Sequence, residues 1–345
     1  MKPVSLFLAI VAVCRATAGG PLLTPKTHPS PPDSASTPEN LRVLFWNVEN
    51  FFDSRNDSTG VSDAAFSAAG ERHWGWKRFS AKGNAVAKVL LWAGAPDIAA
   101  FAEVENAHVL RRLLKGTPLY KLDYRSVHYD SPDPRGIDVA LLYREKRLTL
   151  LESRPFHVYM PTGTAVAGGA DSLLRTRDIL YCRFRDRRSG GSFSLLVCHL
   201  PSKYGGVAAS SPRRAAAVRR LGALADSLVR ARSPVLVCGD FNDTPDNAVF
   251  RRLEPTLVNL SAPLHEKGEG TLRYAGKWDL IDMFWASRDL ADRAHMAILR
   301  PPFLLVRDAA HGGLKPLRTY SGPRHLGGVS DHLPILLEIN RFCED

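Results

Sequence analysis

The sequence contains few cysteines and lacks the spacings that bind zinc. Its 345 residues include five Cys, and neither a CxxC pair nor a Cys/His cluster at zinc spacing occurs. Five cysteines are too few to stabilise a chain of this length mainly by disulfide cross-links. The sequence therefore argues against a disulfide scaffold and against a structural zinc site.

Several catalytic motifs are also missing. The chain has no G-x-S-x-G elbow, no P-loop, no H-E-x-x-H and no Rossmann glycine fingerprint. The sequence signals of serine hydrolases, P-loop nucleotidases, zincin metalloproteases and dinucleotide-dependent enzymes are thus absent. Any catalysis must rest on another set of side chains.

What is present is enough apolar material for a large core, together with an excess of positive charge. Hydrophobic residues make up 45% of the chain and charged residues 23%, which excludes disorder and a fibrous repeat. Lys and Arg number 46 against 35 Asp and Glu, so the formal net charge is +11. This excess suits a phosphate-bearing partner, either nucleic acid or an anionic membrane surface, although basic surfaces without a specific partner are common.

Residues 1–18 have the pattern of a secretory signal peptide. Lys2 is followed by an apolar run and by a small-residue cleavage site that ends at Ala18. The run is too short to span a bilayer. Cleavage removes Lys2 and Arg15 from the total of +11 and leaves +9. We expect export, to the periplasm or the medium; a buried N-terminal helix and a lipid anchor at Cys14 are the alternatives.

Residues 19–40 are rich in Gly, Pro, Ser and Thr, and their apolar residues recur at neither helix nor strand period. This composition predicts a disordered tether, which leaves residues 41–345 as one domain. Export would place four cysteines, Cys182, Cys198, Cys238 and Cys343, in an oxidising compartment. The first three lie inside apolar runs, and the sequence leaves two alternatives for them, a buried free thiol and a disulfide bridge.

Short β-branched and aromatic runs of strand length recur through the domain. They lie at Leu41 to Trp46, Ile98 to Ala102, Ile137 to Tyr143, Ile179 to Phe184, Phe193 to Cys198, Val235 to Cys238, Leu280 to Trp285 and Pro334 to Ile339. Amphipathic helical periodicity occurs at Ala81 to Ala93 and at Arg213 to Arg230. The mixed order of helices and strands predicts an α/β fold with a mixed sheet or two packed sheets.

Five of these runs carry acidic or hydrogen-bonding side chains at one end. They are Asn47 with Glu49, Glu103, His199, Asp240 with Asn242, and the pair Asp331-His332. The last pair precedes its run, so an antiparallel strand would bring it to the same sheet edge as the others. Each residue alone is an ordinary turn or core residue, but five such ends are hard to explain by turn chemistry.

These side chains form a hard, all-oxygen set with two histidines. Carboxylates and amides of this kind suit Mg²⁺, Mn²⁺ or Ca²⁺ and not zinc. Clustered carboxylates repel one another unless a cation neutralises them. His199 and His332, whose type titrates near about pH 6.5 when unperturbed, can act as acid, base or transition-state stabiliser. Beside a basic surface, the set predicts metal-assisted hydrolysis of a phosphate ester.

In their order and spacing, the segments resemble the endonuclease/exonuclease/phosphatase superfamily, which contains DNase I-like nucleases, abasic-site endonucleases, sphingomyelinases and inositol-polyphosphate phosphatases. Between Leu41 and Ile339, the matching segments are Trp46-Asn47-Val48-Glu49-Asn50, Ala102-Glu103-Val104-Glu105-Asn106, Arg135-Gly136-Ile137-Asp138-Val139-Ala140-Leu141-Leu142-Tyr143, Cys198-His199-Leu200, Gly239-Asp240-Phe241-Asn242, Leu280-Ile281-Asp282-Met283-Phe284 and Ser330-Asp331-His332-Leu333-Pro334-Ile335. The resemblance implies a four-layered α/β sandwich with two packed mixed β-sheets and a site at one edge.

Carried over position by position, the resemblance implies a metal site. Glu103 is similar to the principal ligand, and Asn47, Glu49 and Asp331 are similar to its supporting ligands. The implied ion is Mg²⁺, with Mn²⁺ and Ca²⁺ as alternatives. Many members have Gln before the metal-binding Glu, whereas this chain has Ala102, which removes one hydrogen-bonding side chain and keeps the ligand.

The same resemblance implies the catalytic residues. Asp240 and Asn242 are similar to the pair that orients or deprotonates the attacking water and holds the scissile phosphate. His332, hydrogen-bonded by Asp282, is similar to the histidine that stabilises the developing phosphorane charge. His199 matches the second histidine of DNase I-like members.

Four further residues are candidates for substrate binding. They are Arg135, Arg177, Lys203 and Tyr204. Each arginine lies beside the start of a predicted strand, where a guanidinium can pair with a phosphate oxygen; the alternative is an ion pair with a nearby aspartate, Asp138 or Asp178. The other two residues follow a strand end and are candidates for the wall of the substrate groove.

The sequence thus favours an exported, metal-dependent phosphodiesterase that acts on DNA or RNA, an endonuclease working as a monomer with no obligate protein partner. One alternative keeps the chemistry and changes the substrate to a phospholipid head group or a phosphorylated small molecule, although no membrane-docking helix or aromatic hairpin is recognisable. The other is a non-catalytic binding module, against which the complete set of acidic and histidine positions argues.

Overall fold

Runs of β-branched and aromatic residues form the centre of the protein. The computed structural model describes residues 40–57, 60–161, 172–203 and 206–340; the predicted signal peptide and tether lie outside these residues, apart from Asn40. Every run predicted as a strand overlaps a strand in one of two six-stranded sheets. The prediction of an α/β fold with two packed mixed sheets is therefore confirmed.

The strands and helices have the following bounds. The strands are β1 (Leu41–Phe51), β2 (Ile98–Val104), β3 (Tyr124–His128), β4 (Asp138–Arg144), β5 (Leu148–Phe156), β6 (Tyr159–Met160), β7 (Ser172–Leu173), β8 (Ile179–Asp186), β9 (Ser192–His199), β10 (Val235–Asp240), β11 (Leu257–Asn259), β12 (Leu272–Tyr274), β13 (Lys277–Asp279), β14 (Asp282–Ser287), β15 (Ala294–Ile298), β16 (Leu305–Arg307), β17 (Leu314–Pro316), β18 (Tyr320–Ser321), β19 (Arg324–His325) and β20 (Ile335–Ile339). The α-helices are α1 (Trp76–Trp92), α2 (Ala107–Gly116), α3 (Val207–Arg230), α4 (Ala262–Glu266) and α5 (Arg288–Ala291). Short 3₁₀ helices span Pro118–Lys121, Ala248–Arg252 and Pro302–Leu304.

The two large sheets share one pattern of strand directions. The first has the order β15-β20-β1-β2-β4-β3 and the second β11-β14-β10-β9-β8-β5. In each sheet one central pair is parallel, β1 with β2 and β9 with β10, and the other pairings are antiparallel. Parallel neighbours end at the same edge, and an antiparallel neighbour begins there. In each sheet the two strands of the central parallel pair therefore end at one edge, and the antiparallel neighbour on either side of the pair begins there.

Side chains alternate between the faces of each strand and produce four layers. Val43 and Phe45 of β1 pack between the sheets against residues such as Leu236 of β10. Leu44 and Trp46 point the other way, into a cluster with α1 and α2. A third cluster packs α3 against the outer face of the second sheet. The layers are therefore helix, sheet, sheet and helix.

Both predicted helices begin earlier than their apolar stripes indicate. α1 begins at Trp76 rather than Ala81, and α3 at Val207 rather than Arg213. Pro212 lies inside α3, where it removes one backbone donor without ending the helix. Within the described ranges, no helix is long and apolar enough to cross a membrane.

The cysteines of the second sheet are thiols. Cys182, Cys198 and Cys238 are free and buried. Burial raises the pKa of Cys238 well above its ordinary value, with a smaller contribution from its two neighbours. Of the two alternatives left open by the sequence, the structure therefore has buried thiols at these positions. Cys14 and Cys343 lie outside the described residues.

Candidate active site

Six strand termini place the predicted catalytic and metal-binding residues at one edge of the sandwich. Asn47 and Glu49 lie in β1, Glu103 in β2, His199 and Asp240 at the ends of β9 and β10, and Asp282 at the start of β14, while Asp331 and His332 come shortly before β20. Asp240 and Asp282 are paired in register. A hydrogen bond of 2.9 Å from Asn47 Nδ2 to Asp240 Oδ2 joins the two sheets at this edge.

Asp240 lies at the centre of the group. Its Oδ2 accepts from Asn47 and lies 3.6 Å from His199 Nε2 and 3.9 Å from His332 Nε2. Its Oδ1 accepts from the backbone N–H of Asn242 at 2.9 Å. Burial raises the pKa of Asp240 to about 7, although the charge of His332 opposes the shift. A buried carboxylate that is held by two donors and faces two imidazoles can accept a proton from a substrate water.

His332 is fixed by a buried carboxylate. Its Nδ1 lies 2.8 Å from Asp282 Oδ2, so the hydrogen bond implied by the resemblance is present. The same carboxylate accepts the hydroxyl of Thr271. Burial by itself lowers the pKa of His332, but the carboxylates of Asp282, Asp240 and Asp331 outweigh it and raise that pKa well above its ordinary value. At neutral pH His332 is therefore an imidazolium, with Nε2 directed toward Asp240.

His199 is shifted in the opposite direction. Burial, together with the charges of Arg177, Arg135 and His332, lowers the pKa of His199 well below its ordinary value. Its Nδ1 has no hydrogen-bond partner among the residues that the structure describes. The sequence alone placed both histidines near their ordinary pKa, whereas their surroundings make one imidazole neutral and the other charged.

The carboxylates predicted to bind a metal lie beside this group and are paired with guanidinium groups. Arg318 lies 3.4 Å from Glu49 Oε1 and 3.0 Å from Asp331 Oδ2. Arg135 lies 3.6 Å from Glu103 Oε2. Burial and the charge of Asp331 raise the pKa of Glu49 to about 7, with Arg318 opposing. The carboxylates repel one another, and neighbouring positive charge relieves that repulsion.

This donor set fits a hard divalent metal ion. Glu49, Glu103 and Asp331 supply carboxylate oxygens, and Asn47 supplies an amide oxygen that accepts the N–H of Glu49 at 3.0 Å. Such oxygens suit Mg²⁺, Mn²⁺ or Ca²⁺. Two other groups, Asp240 with Asp282 and His332, and Asp130 with Asp138 and His128, each have ligand atoms within 4.8 Å of one another.

The backbone bends sharply where the site residues leave their strands. Positive φ angles occur at Glu49 (46°), Asn50 (52°), Glu103 (65°) and Asn242 (53°). This left-handed conformation is uncommon for residues other than glycine and concentrates at functional sites. The pairing registers of β1 with β2 and of β2 with β4 also shift there. These bulges end the regular alternation of side chains next to the candidate ligands.

Of the residues predicted to bind substrate, two lie at the rim of the site. Arg135 donates to Asn50 Oδ1 at 2.7 Å, and 38% of its side chain is exposed. Lys203 is 49% exposed and lies 2.9 Å from Asp243. Tyr204 lies outside the described residues.

Arg177 lies beneath the site instead. It is buried and donates to Asp133 at 2.9 Å and to the Leu200 carbonyl at 2.7 Å. That carbonyl also accepts the side chain of Asn242 at 2.8 Å. Arg177 therefore supports the position of Asn242, and a phosphate cannot reach its guanidinium without displacing these contacts.

The alternative left open by the sequence, an ion pair of each arginine with its nearby aspartate, does not form either. Asp138 lies 3.0 Å from His128 Nε2, and Asp178 lies 2.8 Å from His157 Nδ1. Arg135 and Arg177 have the other partners described above. Proximity in sequence did not decide these pairs, because the strands direct each aspartate toward a histidine on a neighbouring segment.

Sequence reasoning missed three residues that support Glu49. Lys82 of α1 is buried and donates to the Glu49 carbonyl and, at 2.9 Å, to the Thr319 hydroxyl. The Thr319 N–H donates to Glu49 Oε2 at 2.7 Å, next to Arg318. A lysine four residues before Val86, on the apolar stripe of α1, is a signal that could have found Lys82. The loop that carries Arg318 and Thr319 has no sequence pattern that would identify it as part of the site.

Comparisons with known proteins bear on the fold and on the family. A family model described as the Endonuclease/Exonuclease/phosphatase family matches residues 42–341. No curated protein matches the sequence. Among solved structures, an endonuclease/exonuclease/phosphatase family protein from Bacteroides thetaiotaomicron is 17% identical with a TM-score of 0.56, over 87% of this chain and 97% of that chain.

Two further solved structures have names that describe their proteins more closely. The human nocturnin catalytic domain with a bound sulfate anion is 19% identical with a TM-score of 0.53, over 87% of this chain and 94% of that chain. A mannosyl-6-phosphatase from Bacteroides thetaiotaomicron is 16% identical with a TM-score of 0.55, over 87% of this chain and 99% of that chain. At these identities the likeness shows the fold.

Proposed function

Because this chain belongs to the endonuclease/exonuclease/phosphatase family of metal-dependent phosphoester hydrolases, we propose that it hydrolyses phosphodiester bonds of DNA or RNA. The observation that carries the proposal is the position of Asp240, buried between His199 and His332 and hydrogen-bonded by Asn47. A proton acceptor, a charged imidazole and a set of hard ligands share one sheet edge. Metal-assisted hydrolysis of a phosphate ester uses parts of these kinds.

The metal ion that we propose is Mg²⁺, with Mn²⁺ and Ca²⁺ as alternatives, held by Asn47, Glu49, Glu103 and Asp331. When bound, such an ion neutralises charge on the phosphoryl oxygens and lowers the pKa of a coordinated water. Lys82 and Thr319 hold the backbone and carboxylate of Glu49 in place.

Asp240 accepts the proton of the attacking water at Oδ2 as the water oxygen bonds to phosphorus. Asn47 and the N–H of Asn242 fix the orientation of this carboxylate. The imidazolium of His332, held at Nδ1 by Asp282, opposes the negative charge that develops on the phosphoryl oxygens. The ester P–O bond then breaks, the leaving oxygen takes a proton from solvent water, and Asp240 returns the proton it accepted to solvent.

A polyanionic substrate is supported by the rim of the site. Arg135, Lys203 and Arg318 have side chains that are 38%, 49% and 48% exposed. Phosphates that flank the scissile bond could pair with these three cations. The charge of +9 expected after signal cleavage adds a general attraction for nucleic acid.

A phosphorylated sugar is the second candidate substrate. The side chains of Asp240 and His332 are only 2% and 8% exposed, so a terminal phosphate reaches them more easily than a phosphate inside a polymer. One structural neighbour bears the name mannosyl-6-phosphatase. Sphingomyelin and inositol phosphates belong in the same comparison of substrates.

A cleavage panel tests the proposal. Purified protein is incubated with plasmid DNA, RNA, phosphorylated sugars, sphingomyelin and inositol phosphates, with Mg²⁺, Mn²⁺, Ca²⁺ or EDTA. We expect metal-dependent cleavage of nucleic acid and a loss of about 10²–10⁴-fold in kcat for Asp240→Asn, because the proton acceptor is removed. Asp246→Asn is the matched control, because Asp246 lies in the following loop with a side chain that is 72% exposed.

Three results would contradict it. If DNA and RNA stay intact under every metal condition, nuclease activity is ruled out. Faster turnover of a sugar phosphate than of nucleic acid would favour the second candidate substrate. Equal activity of Asp240→Asn and the wild type would remove the proposed role of Asp240.

We also propose that the protein is exported, on the pattern of residues 1–18. Expression in a host with a secretory pathway should give a mature protein whose mass corresponds to a start at Gly19. A mass that still includes residues 1–18 would mean that the signal peptide is retained. Incorporation of a labelled fatty acid by the wild type, lost in Cys14→Ser, would indicate a lipid anchor at Cys14 in place of simple secretion.

A further inference from the structure

A short hairpin lies next to His332 at the site edge, and the catalytic proposal does not use it. It consists of β12 and β13 and comes directly before β14, whose first residue is Asp282. At the base of the hairpin, Thr271 donates its hydroxyl to Asp282 Oδ2 and accepts the N–H of Leu333 at 2.9 Å. These bonds fix the base of the hairpin relative to the Asp282–His332 pair.

The pairing of the hairpin with the segment of His332 determines which way its side chains point. Leu272 of β12 forms an antiparallel bridge with His332. Directly opposite residues of an antiparallel pair direct their side chains to the same side, and Nε2 of His332 lies 3.9 Å from Asp240 Oδ2. Residues two apart on a strand also share a side. Tyr274 is therefore on the side of the hairpin that faces the candidate active site, about 7 Å along the strand from Leu272.

This side of the hairpin carries an aromatic ring beside a cation. Tyr274 is paired with Lys277, so the two side chains share the side that faces the site. Lys277 is exposed, and Tyr274 is 76% exposed, more than any other large hydrophobic residue within the described ranges. Single exposed apolar side chains are common on protein surfaces. The position of Tyr274 beside the site, rather than its exposure, is what points to a ligand.

The opposite side of the hairpin is anchored to the protein. The guanidinium of Arg273 donates to the Gly276 carbonyl at 3.2 Å and to the Gly312 carbonyl at 2.7 Å. It also lies 3.4 Å from Asp308. The turn at Ala275 and Gly276 has positive φ angles of 46° and 81°, as in the tight turns that join twisted strands. A group that is held in this way loses little conformational freedom when it binds a ligand.

We propose that Tyr274 stacks on an unpaired nucleobase of the substrate and that Lys277 pairs with a neighbouring phosphate. This inference rests on the proposed nuclease function and adds a binding subsite for a nucleotide near the scissile phosphate. Aromatic rings beside basic groups bind single-stranded nucleic acid, because every base has a π face and every nucleotide carries a charge. A base inside a duplex must first be unstacked, so the subsite favours single-stranded DNA or RNA.

The test measures the binding of two oligonucleotides to the Asp240→Asn protein by fluorescence anisotropy. One is single-stranded DNA, and the other is a strand of the same length with stable abasic sites, which keeps every phosphate and lacks every base. Adding Tyr274→Ala should weaken binding of the first strand by about 5- to 150-fold, the range that base–aromatic stacking provides. Binding of the abasic strand should not change. Adding Tyr274→Phe should leave both affinities unchanged, because the ring remains.

Tyr120→Ala is the matched control. Tyr120 is 67% exposed and precedes the start of β3, at the end of the first sheet that is opposite to the site edge. This substitution removes an exposed tyrosine of the same kind, and it should leave the binding of both strands unchanged.

An equal loss on both strands would overturn the proposal, because Tyr274 would then act on the backbone or on the fold and not on a base. A loss in Tyr274→Phe as large as in Tyr274→Ala would also overturn it, since the hydroxyl would carry the contact. Tight binding that Tyr274→Ala leaves intact would overturn only the stacking subsite, whereas failure of the Asp240→Asn protein to bind either strand would overturn the nuclease proposal as well. If Tyr274→Ala does not fold, Tyr274→Leu, which keeps an apolar side chain without the ring, gives the same comparison.

Discussion

The Asp282–His332 pair sets the charge of the candidate active site. Burial favours a neutral imidazole, yet three carboxylates lie near the ring of His332 and the nearest accepts from Nδ1 at 2.8 Å. The attraction outweighs the desolvation, because the interaction of close charges strengthens in a poorly solvated interior. The ring is therefore a fixed positive charge directed at Asp240.

This balance predicts a specific change in the pH dependence of hydrolysis. Because the pKa of His332 is raised, its imidazole stays charged at pH values well above the ordinary pKa of histidine. Activity should therefore fall only when the pH passes the raised pKa. Asp282→Asn removes the largest opposing charge, which lowers the pKa of His332 and should move the alkaline limb of the pH–rate profile to lower pH. The measurement is kcat between about pH 5 and 9 at saturating metal.

The control for this prediction is Asp289→Asn, an exposed carboxylate on α5 in the same part of the chain. Its profile should match the wild type. An unchanged alkaline limb in Asp282→Asn would show that His332 does not carry the charge on which activity depends.

At the scale of the element, the approach of β10 to β9 depends on one glycine. Gly239 directly precedes Asp240 and is paired in register with Cys198. A Cβ at this position would lie 2.2 Å from the Cys198 carbonyl oxygen and 2.5 Å from its Sγ. No side chain fits there without moving one of the two strands, so glycine allows the close packing that brings Asp240 to the site edge.

Gly239→Ala should therefore lower the free energy of unfolding by about 1–3 kcal/mol, as overpacking of a core usually does. It should also reduce hydrolysis, because the displaced strand carries Asp240. Urea unfolding and the cleavage assay measure the two effects.

Gly83→Ala is the matched comparison inside α1. A Cβ there meets its nearest described neighbour, Phe51, at 3.8 Å, an ordinary contact. Replacing glycine in a helix interior should raise the free energy of unfolding by about 0.5–1 kcal/mol. Similar unfolding free energies for the two variants would mean that the β9–β10 approach is looser than described.

The sequence predicted the elements better than their ends. Short β-branched and aromatic runs located every strand named above, and the polar residues near the ends of β1, β2, β9 and β10 indicated the candidate site edge. The positive φ angles at Glu49 and Glu103 could not be predicted, since neither is glycine. Arg177 was assigned to substrate because its partner Asp133 lies 44 residues away in sequence, and local patterns do not contain such pairs.

At the scale of the whole molecule, exposed basic side chains surround the candidate active site. Arg135, Arg318 and Lys203 lie at its rim, each within 3.6 Å of a carboxylate. The sequence predicted the excess of positive charge, but its distribution depends on which loops meet at the sheet edge. The four layers followed from the resemblance, while the contact between the two sheets at Asn47 and Asp240 required the fold.

The exposed basic rim predicts a strong effect of salt on nucleic acid binding. Affinity of the Asp240→Asn protein for duplex DNA should fall linearly on logarithmic axes as salt rises, with a slope of about −0.9 for each phosphate neutralised. Replacing Arg135 by Ala should reduce the magnitude of the slope by about one. Fluorescence anisotropy measures the binding. A slope near zero would contradict the assignment of this rim to a polyanion.

The order of strands along the chain also governs when the catalytic group can exist. The second large sheet is complete within residues 148–287, whereas β20, the final strand, lies between β15 and β1 in the first sheet. In a chain that emerges N-terminus first, β10 and Asp240 come before β20, so β1 still has an open edge when His332 is not yet present. A chain interrupted there lacks His332 and exposes a strand edge that favours aggregation. The full set of candidate catalytic residues is therefore assembled only when the last strand of the first sheet is added.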